Sequence, residues 1–380
     1  MKVLYISTAD YKYGAAKTQI DMILELKNHF GVIPVILTKT HNAFNDLCDE
    51  NGIENYSYWY RDIMAGSAYS NPLLNIAKHI VKYLLYLRGA VTQRGVLKCG
   101  INWDEIDIIH TNHIRIDIGA YISKKTGIPH IWHIKELNQG HVKIIHYKHN
   151  CYQYINANAD FFIAVTNQVK EFWCKAGLEA EKVKVIYEGI SCDKFVPKEK
   201  RNDNKLKLVC VGRIEKSKGQ LQILQAMEKL PEPIKQNVTL DLVGEPYPDY
   251  FRQLQTFIRN HHMEKRVNFF GYCEKISEIL SDYDVGILAS RGDAFGTVTA
   301  EYMAAGLLAI ATYTELVENM KTGLRYEFGD IDKLCENIIF AYENRDKMDL
   351  LSKAGEQRIK TEFSIHNNAR QVCELYEQLI

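Results

Sequence analysis

Short apolar runs alternate with amphipathic stretches along most of this chain. Val3–Ser7 reads as a strand, and Ala15–His29 as a helix with Ile20, Ile23, Leu24 and Leu26 on its apolar stripe. Val32–Leu37 is the next strand, followed by Ile106–His110, His130–His133, Phe162–Val165 and Val183–Tyr187. Runs apolar on both faces, separated by helices, predict parallel sheets covered on each side, an α/β chain. The alternation restarts at Leu208, after Asp193–Lys205, a charged stretch poor in core residues that reads as a linker. The pattern therefore predicts two doubly wound, Rossmann-like domains, 1–195 and 196–362, with a last helix over Phe363–Leu379 whose apolar face is Val372, Leu375, Tyr376 and Leu379. Two such domains facing each other predict a ligand site in the cleft at the carboxyl ends of their strands.

Composition narrows the classes. The 380 residues carry 47 Lys plus Arg against 47 Asp plus Glu, a net charge of 0, so bulk nucleic-acid binding is not expected. Nine cysteines are scattered with no CxxC pair, which predicts a reducing, cytoplasmic setting and argues against a disulfide framework or a zinc site. Met1–Ile6 passes quickly into polar sequence, too short for the apolar core of a signal peptide. No apolar run reaches the ~18 residues of a membrane span.

The candidate chemistry is concentrated in two stretches. In the first, Asp284–Ala289 reads as a buried strand and Thr297–Ala305 as a helix closed by Gly306, so Phe295-Gly296 is the turn between them. The first N–H groups of that helix have no partner within it and sit at the positive end of its dipole, which suits an anion such as phosphate. Asp293 and Glu301, eight positions apart, border this turn at different depths and suit hydroxyl-rich groups on either side of a phosphate. In the second, the strand Leu208–Arg213 ends in Gly212-Arg213, and Lys216, Lys218 and Gly219 precede a helical pattern of Leu221, Ile223, Leu224 and Met227. Arg binds phosphate as a planar fork and Lys as a mobile point charge, so Arg213 and Lys218 form a cradle for a diphosphate, whereas Lys216 reads as solvated.

The segment Asp293-Ala294-Phe295-Gly296 followed by Glu301-Tyr302-Met303-Ala304-Ala305-Gly306 resembles the Glu-x7-Glu signature of the retaining glycosyltransferases of family 4, with Asp293 in place of the first Glu. The Gly212-Arg213 and Lys218-Gly219 element resembles the same family's diphosphate-binding motif. The resemblance implies a GT-B fold over nearly the full length, with the last helix, 363–380, crossing back to an acceptor-side first domain. It implies transfer of a sugar from a nucleotide-diphosphate sugar, UDP or GDP, to a hydroxyl acceptor with retention at the anomeric carbon and with no metal or cofactor. Arg213, Lys218, Asp293 and His133 then form the catalytic set, with Asp293 on the donor sugar's hydroxyls, Glu301 on the ribose and His133 facing the donor sugar. Substrate binding falls to Glu301, Phe295, Gly296, Thr297 and Gly212, joined by Gly271 and Tyr272, and to Gly14 and Ala15 at the start of the first helix. His110 and His113 have a weaker case. Val185–Ile190 resembles the family's Val-Ile-x-Asn-Gly-Ile element with Glu188 replacing the Asn, and only Tyr313 and Thr314 stand where the family carries a Gly-rich loop. The implied setting is polysaccharide or glycolipid synthesis on a carbohydrate or lipid-linked acceptor, in the cytoplasm and at the inner face of the cell membrane. A noncatalytic nucleotide-sugar-binding relative and a sugar-nucleotide epimerase are the competing readings.

Three further features have a structural reading. Asp282-Tyr283-Asp284 matches a DxD pattern but leads directly into a strand and is read as a turn, with no metal assigned. Leu73–Lys98 interleaves Lys78, Lys82, Arg88, Arg94 and Lys98 with aliphatic residues; an ordinary domain helix is favoured there over one lying on an anionic bilayer. Tyr56, Tyr58, Trp59 and Tyr60 are read as core or interface rather than as a sugar-stacking surface.

Overall fold

A computed structural model describes residues 1–7, 14–66, 72–137, 144–196 and 204–380. The chain divides into two compact units, Met1–Gly189 with Asn368–Ile380, and Ile190–Asn367. The domain limits read from sequence, 195/196 and 362/363, lie within a few residues of these. Ile190 belongs to the second unit because its N–H donates to the Phe363 carbonyl at 2.9 Å and its carbonyl accepts from Ile365 N–H at 3.0 Å. The first part of the expected linker is also anchored there, with Phe195 packing against Val209, Val243 and Tyr302. Residues 197–203 of that linker lie outside the described residues.

In the first unit the strands are β1 (Lys2–Ser7), β2 (Ile33–Thr38), β3 (Glu54–Ser57), β4 (Met64–Gly66), β5 (Ile108–Asn112), β6 (His130–Ile134), β7 (Ile144–His146), β8 (Phe161–Ala164) and β9 (Val183–Val185). Seven of them form one parallel sheet in the order β3-β2-β1-β5-β6-β8-β9, while β4 and β7 pair as an antiparallel ribbon. Several strands begin or end a residue or two away from the apolar run. β2 gains Thr38 because its hydroxyl is buried against the Asn45 carboxamide at 3.0 Å, so a polar residue closes an apolar strand without an unpaired group. β5 begins at Ile108 rather than Ile106, because Ile106 caps the short 3-10 turn Trp103–Glu105.

The second unit carries β10 (Leu206–Val211), β11 (Val238–Val243), β12 (Val267–Gly271), β13 (Val285–Leu288), β14 (Leu308–Ala311) and β15 (Leu324–Arg325), all parallel, in the order β12-β11-β10-β13-β14-β15. The chain builds outward from β10 to β12, then crosses over and builds from β13 to β15 on the other side. The boundary between β10 and β13 is thus the topological switch point, where ligands of open α/β sheets bind at the carboxyl ends of the strands. One packing detail ties this centre together. The Tyr302 ring lies so close over Gly286 that any Cβ there would collide with it, and the Tyr302 hydroxyl accepts from Val211 N–H at 2.7 Å. A glycine inside a strand normally weakens it; here it admits a fully buried tyrosine that holds the end of the neighbouring strand.

Asp284 of the DxD-like triplet serves the fold, since one carboxylate oxygen accepts from Lys207 N–H at 2.8 Å at the start of β10. Tyr60 is buried and its hydroxyl donates to the Ser7 carbonyl at 2.6 Å, so that ring is core.

Candidate active site

The second unit brings most of the candidate residues to the switch point. After β10 the backbone turns through Gly212, at φ 144°, and Arg213, then through the 3-10 turn Lys216–Lys218 and Gly219, at φ 68°. Gly219 has no alternative: it is left-handed, and a Cβ would strike the Ala289 carbonyl oxygen just beyond β13. The post-β10 turn is therefore seated directly on the end of β13, and Arg291 N–H donates to the Ser217 carbonyl at 3.1 Å to join the two loops. This seating carries Lys218 Nζ to 2.8 Å from Asp293 Oδ1. The two residues are 75 apart in sequence and come from strands on opposite sides of the switch. Asp293 Oδ2 is enclosed and has no hydrogen-bond partner among the described residues. Ser290 Oγ and Thr299 Oγ1, in the same loop and helix, are likewise enclosed and unpartnered. Arg213 is exposed, its Nη2 3.4 Å from Glu215 Oε1, an oxygen that also accepts from Ser217 Oγ at 2.7 Å. The buried Gln220 side chain donates to the Arg213 carbonyl at 2.9 Å and fixes the backbone from which that guanidinium projects.

The turn expected at Phe295-Gly296 is present. Gly296 is the N-cap of the helix Thr297–Ala304 in a left-handed conformation, φ 86°, and no side chain caps that end. The Phe295 ring is buried and meets Phe363 at 6.1 Å between centroids, so its side chain anchors the turn and leaves only its backbone to face a ligand. The short segment after β14 takes over part of the support: Thr314 Oγ1 donates to the Phe295 carbonyl at 3.0 Å, and Thr312 Oγ1 to the Ser290 carbonyl at 2.8 Å. Two threonine hydroxyls thus hold the loop after β13 and the Phe295-Gly296 turn, in the short segment that stands where the resembled family carries a Gly-rich loop. Glu301 is half-buried one turn beyond the helix start. Gly271, at φ 84°, ends β12, and its carbonyl accepts from Gly244 N–H at 2.8 Å; the exposed Tyr272 follows it at the same end of the sheet.

His133, Gly14 and Ala15 belong to the first unit. Gly14 opens the helix Gly14–His29, while Tyr13, beside it, lies outside the described residues. His133 is the penultimate residue of β6 and is buried, with Nδ1 3.1 Å from His110 Nε2. His110 Nδ1 in turn lies 2.6 Å from the Tyr376 hydroxyl, and that hydroxyl donates to Tyr5 Oη at 3.2 Å. Burial keeps both imidazoles neutral, with His110 pushed down to about 3 and His133 well below its ordinary value. One tautomer set satisfies the line: Tyr376 accepts from His110 Nδ1–H, His110 Nε2 accepts from His133 Nδ1–H, and His133 Nε2 is left as an enclosed lone pair without a partner among the described residues. Neither Tyr5 nor Tyr376 was selected from sequence. The only signal was a tyrosine on the apolar face of the last helix. Glu188 is also accounted for: its Oε1 lies 2.7 Å from Lys135 Nζ in a pair buried on both sides, with Thr18 Oγ1 at 3.1 Å. A carboxylate stands at that position because a lysine is buried opposite it.

Comparisons with known proteins agree with this arrangement. Residues 192–358 match the family of glycosyl transferases group 1, and residues 55–194 match glycosyltransferase family 4. An uncharacterized glycosyltransferase of Methanocaldococcus jannaschii is 25% identical over 236 residues, 58% of this chain and 59% of that protein, so the chain spans less than two thirds of its length. The UDP-Gal:alpha-D-GlcNAc-diphosphoundecaprenol alpha-1,3-galactosyltransferase of Escherichia coli is 23% identical over 309 residues, covering 73% of this chain and 76% of the enzyme. Anabaena HepE, whose crystal structure holds UDP, superposes with a TM-score of 0.78 at 21% identity over 100% of both chains, a likeness of fold. With two consecutive matches to glycosyltransferase domains on two parallel Rossmann-like sheets, the chain has the GT-B glycosyltransferase fold.

Proposed function

We propose that this protein transfers a sugar from a UDP-sugar to a hydroxyl of a carbohydrate or lipid-linked acceptor, with retention at the anomeric carbon, in polysaccharide or glycolipid synthesis. The observation that carries the reading is the 2.8 Å pair of Lys218 and Asp293 across the switch point, with the second oxygen of Asp293 enclosed and unpartnered among the described residues. Lys carries three donors, so Lys218 can keep Asp293 and still donate to a diphosphate oxygen. That leaves Asp293 Oδ2 as an acceptor for a sugar hydroxyl beside the phosphate, and Glu301 to hold the ribose hydroxyls. In the first unit, His133 is kept as a candidate on the strength of its enclosed Nε2 lone pair, which can accept from a hydroxyl.

Departure of the nucleoside diphosphate builds negative charge on the leaving oxygen, and stabilising that charge is the main catalytic demand. Arg213, Lys218 and the helix end after Gly296 would meet it, each charged hydrogen bond contributing roughly 1.5 to 3 kcal/mol. We assign this role to side chains and backbone rather than to a metal ion, so activity should persist in EDTA. Uridine is favoured over guanosine because the Escherichia coli relative is named for UDP-Gal and the HepE structures hold UDP or UDP-glucose. The test is calorimetric titration with UDP and GDP, followed by NMR assignment of the product's anomeric configuration. If Arg213→Ala and Lys218→Ala both bind UDP as tightly as the parent, the diphosphate assignment is wrong; an inverted product overturns retention alone.

A further inference from the structure

The helix Pro72–Thr92 is oriented inside out. Its polar stripe faces the protein: Lys78 Nζ donates to the Gly66 carbonyl at 2.9 Å, His79 Nδ1 lies 2.8 Å from the Tyr147 hydroxyl, and Lys82 Nζ pairs with Asp62 at 3.1 Å. Gly89 continues that stripe, packed so closely on the Arg61 side chain that a Cβ would overlap it. The apolar stripe faces outward. Leu73, Ile76, Ile80, Leu84, Leu87 and Val91, spaced three or four apart along one face, are between 45% and 74% exposed. The ordinary reading of this segment, an amphipathic helix burying its aliphatic side, is therefore corrected. The inward side is spent on hydrogen bonds and an ion pair, so the aliphatic side is left facing outward. Contiguous exposed apolar surface of this extent marks an interaction site.

We propose that this face lies flat on an anionic lipid bilayer. Charge selects that partner. Residues 63–103 contain no Asp or Glu, and exposed Arg88, Arg94 and Lys98 lie in the last turns of the helix and in the 3-10 helix Gln93–Lys98 that continues it. Arg88 also stacks over the Trp59 ring at 5.4 Å, which leaves Arg94 and Lys98 as the cations with least else to do. A second copy of the chain would bring no acidic residue in this segment to meet them, whereas acidic headgroups would. Aliphatic side chains on one face with basic residues beside them are the composition of a helix that rests in the interface plane. The helix does not cross the membrane: among the described residues none is long and apolar enough. The inference deepens the proposed acceptor class, since a lipid-linked acceptor presents its hydroxyl at such a surface, but it stands on this face alone.

The test is co-sedimentation of the full chain with vesicles of phosphatidylcholine alone or mixed with phosphatidylglycerol, with no nucleotide present, so that its failure is separate from failure of the transferase reading. The parent should bind the anionic vesicles preferentially, and less as salt rises. Ile80→Gln with Leu84→Gln should abolish binding to both vesicles. Arg94→Gln with Lys98→Gln should lower anionic binding by more than tenfold, at roughly 1 kcal/mol per basic residue, while leaving the melting temperature unchanged. Equal partitioning of parent and variants, or no binding by the parent, overturns the proposal. A parent that sediments as a dimer, made monomeric by the Ile80 and Leu84 changes without any vesicle binding, also overturns it and assigns the face to self-association.

Discussion

The two units build their polar centres by opposite means. In the second, the centre is made of backbone: glycines in left-handed or otherwise restricted conformations at positions 212, 219 and 296 shape two loops, and the candidate side chains sit within a few residues of them. In the first, the centre is made of side chains brought from far apart, with Tyr376 held to His110 across 266 positions and to Tyr5 across 371. A backbone-built site tolerates exchange of exposed side chains without loss of fold, while a buried side-chain line is part of the core and fails with it. The largest expected effect tests the first half of that contrast. Lys218→Ala should lower kcat/KM by roughly 100- to 1,000-fold, the scale seen when one donor to a developing charge is removed. Its melting temperature should stay near the parent's, because the pair with Asp293 is partly exposed. A variant that loses activity only in proportion to lost stability would show that the pair is structural and erase the contrast.

The same difference explains what could be read from sequence. The Gly-Arg and Lys-Gly elements and the Asp293-to-Glu301 stretch are local, and their glycines are demanded by collisions or left-handed φ values that any chain building this turn must satisfy. The alternation of buried strands and helices is likewise local, and it yielded the parallel sheets with errors of one or two residues where Thr38 or Ile106 pairs outside the apolar pattern. The His133–His110–Tyr376 line was not legible, because nothing in the spacing of a histidine pair points to a tyrosine more than 200 residues away. The helix Pro72–Thr92 misled for a related reason. Periodicity identifies an apolar face but not the side on which the protein lies, and the inward stripe was fixed by Gly66, Asp62 and Tyr147, none of them in the helix.

Acid should separate the units next. Burial drives His110 down to about 3, His130 to about 4 and His133 well below its ordinary value. In the unfolded chain each titrates near 6.5, so between those values the unfolded state binds more protons and stability rises with pH. The contribution of these neutral histidines is complete above pH 6.5 and is lost as pH falls from there toward 4. The second unit's histidines, His261, His262 and His366, are exposed. All four tryptophans, Trp59, Trp103, Trp132 and Trp173, lie in the first unit, so fluorescence reports on it alone. The urea midpoint by tryptophan fluorescence should drop between pH 7 and pH 4.5. Hydrogen exchange in β10 and β13 should change less, and equal loss in both units would remove the distinction.

A smaller effect isolates the long-range line. Tyr376→Phe deletes the hydroxyl at His110 Nδ1 and leaves that buried nitrogen without its partner, at a cost of about 1 to 3 kcal/mol. Amide exchange should quicken in β5 and β6, which carry His110 and His133, while UDP affinity in the second unit holds. Loss of UDP binding together with first-unit protection would mean that the two centres are not independent.

The finest test returns to Asp293, which stands where the resembled Glu-x7-Glu signature has its first Glu. Introducing that Glu looks like an improvement, yet the structure argues otherwise. Asp293 already reaches Lys218 at 2.8 Å with one oxygen and encloses the other, in a loop held by Thr312 and Thr314. Asp293→Glu inserts one more carbon, about 1.5 Å of reach, into a space fitted to the shorter side chain, and such overpacking costs about 1 to 3 kcal/mol. The expected result is a roughly tenfold fall in kcat/KM, equivalent to about 1.4 kcal/mol and so in the lower half of that range, borne mostly by kcat because the carboxylate is assigned to the sugar rather than to the nucleotide. UDP affinity should be unchanged. A rise in kcat would show instead that the loop adapts to the longer side chain, and that the short segment after β14, not the carboxylate's length, sets the rate.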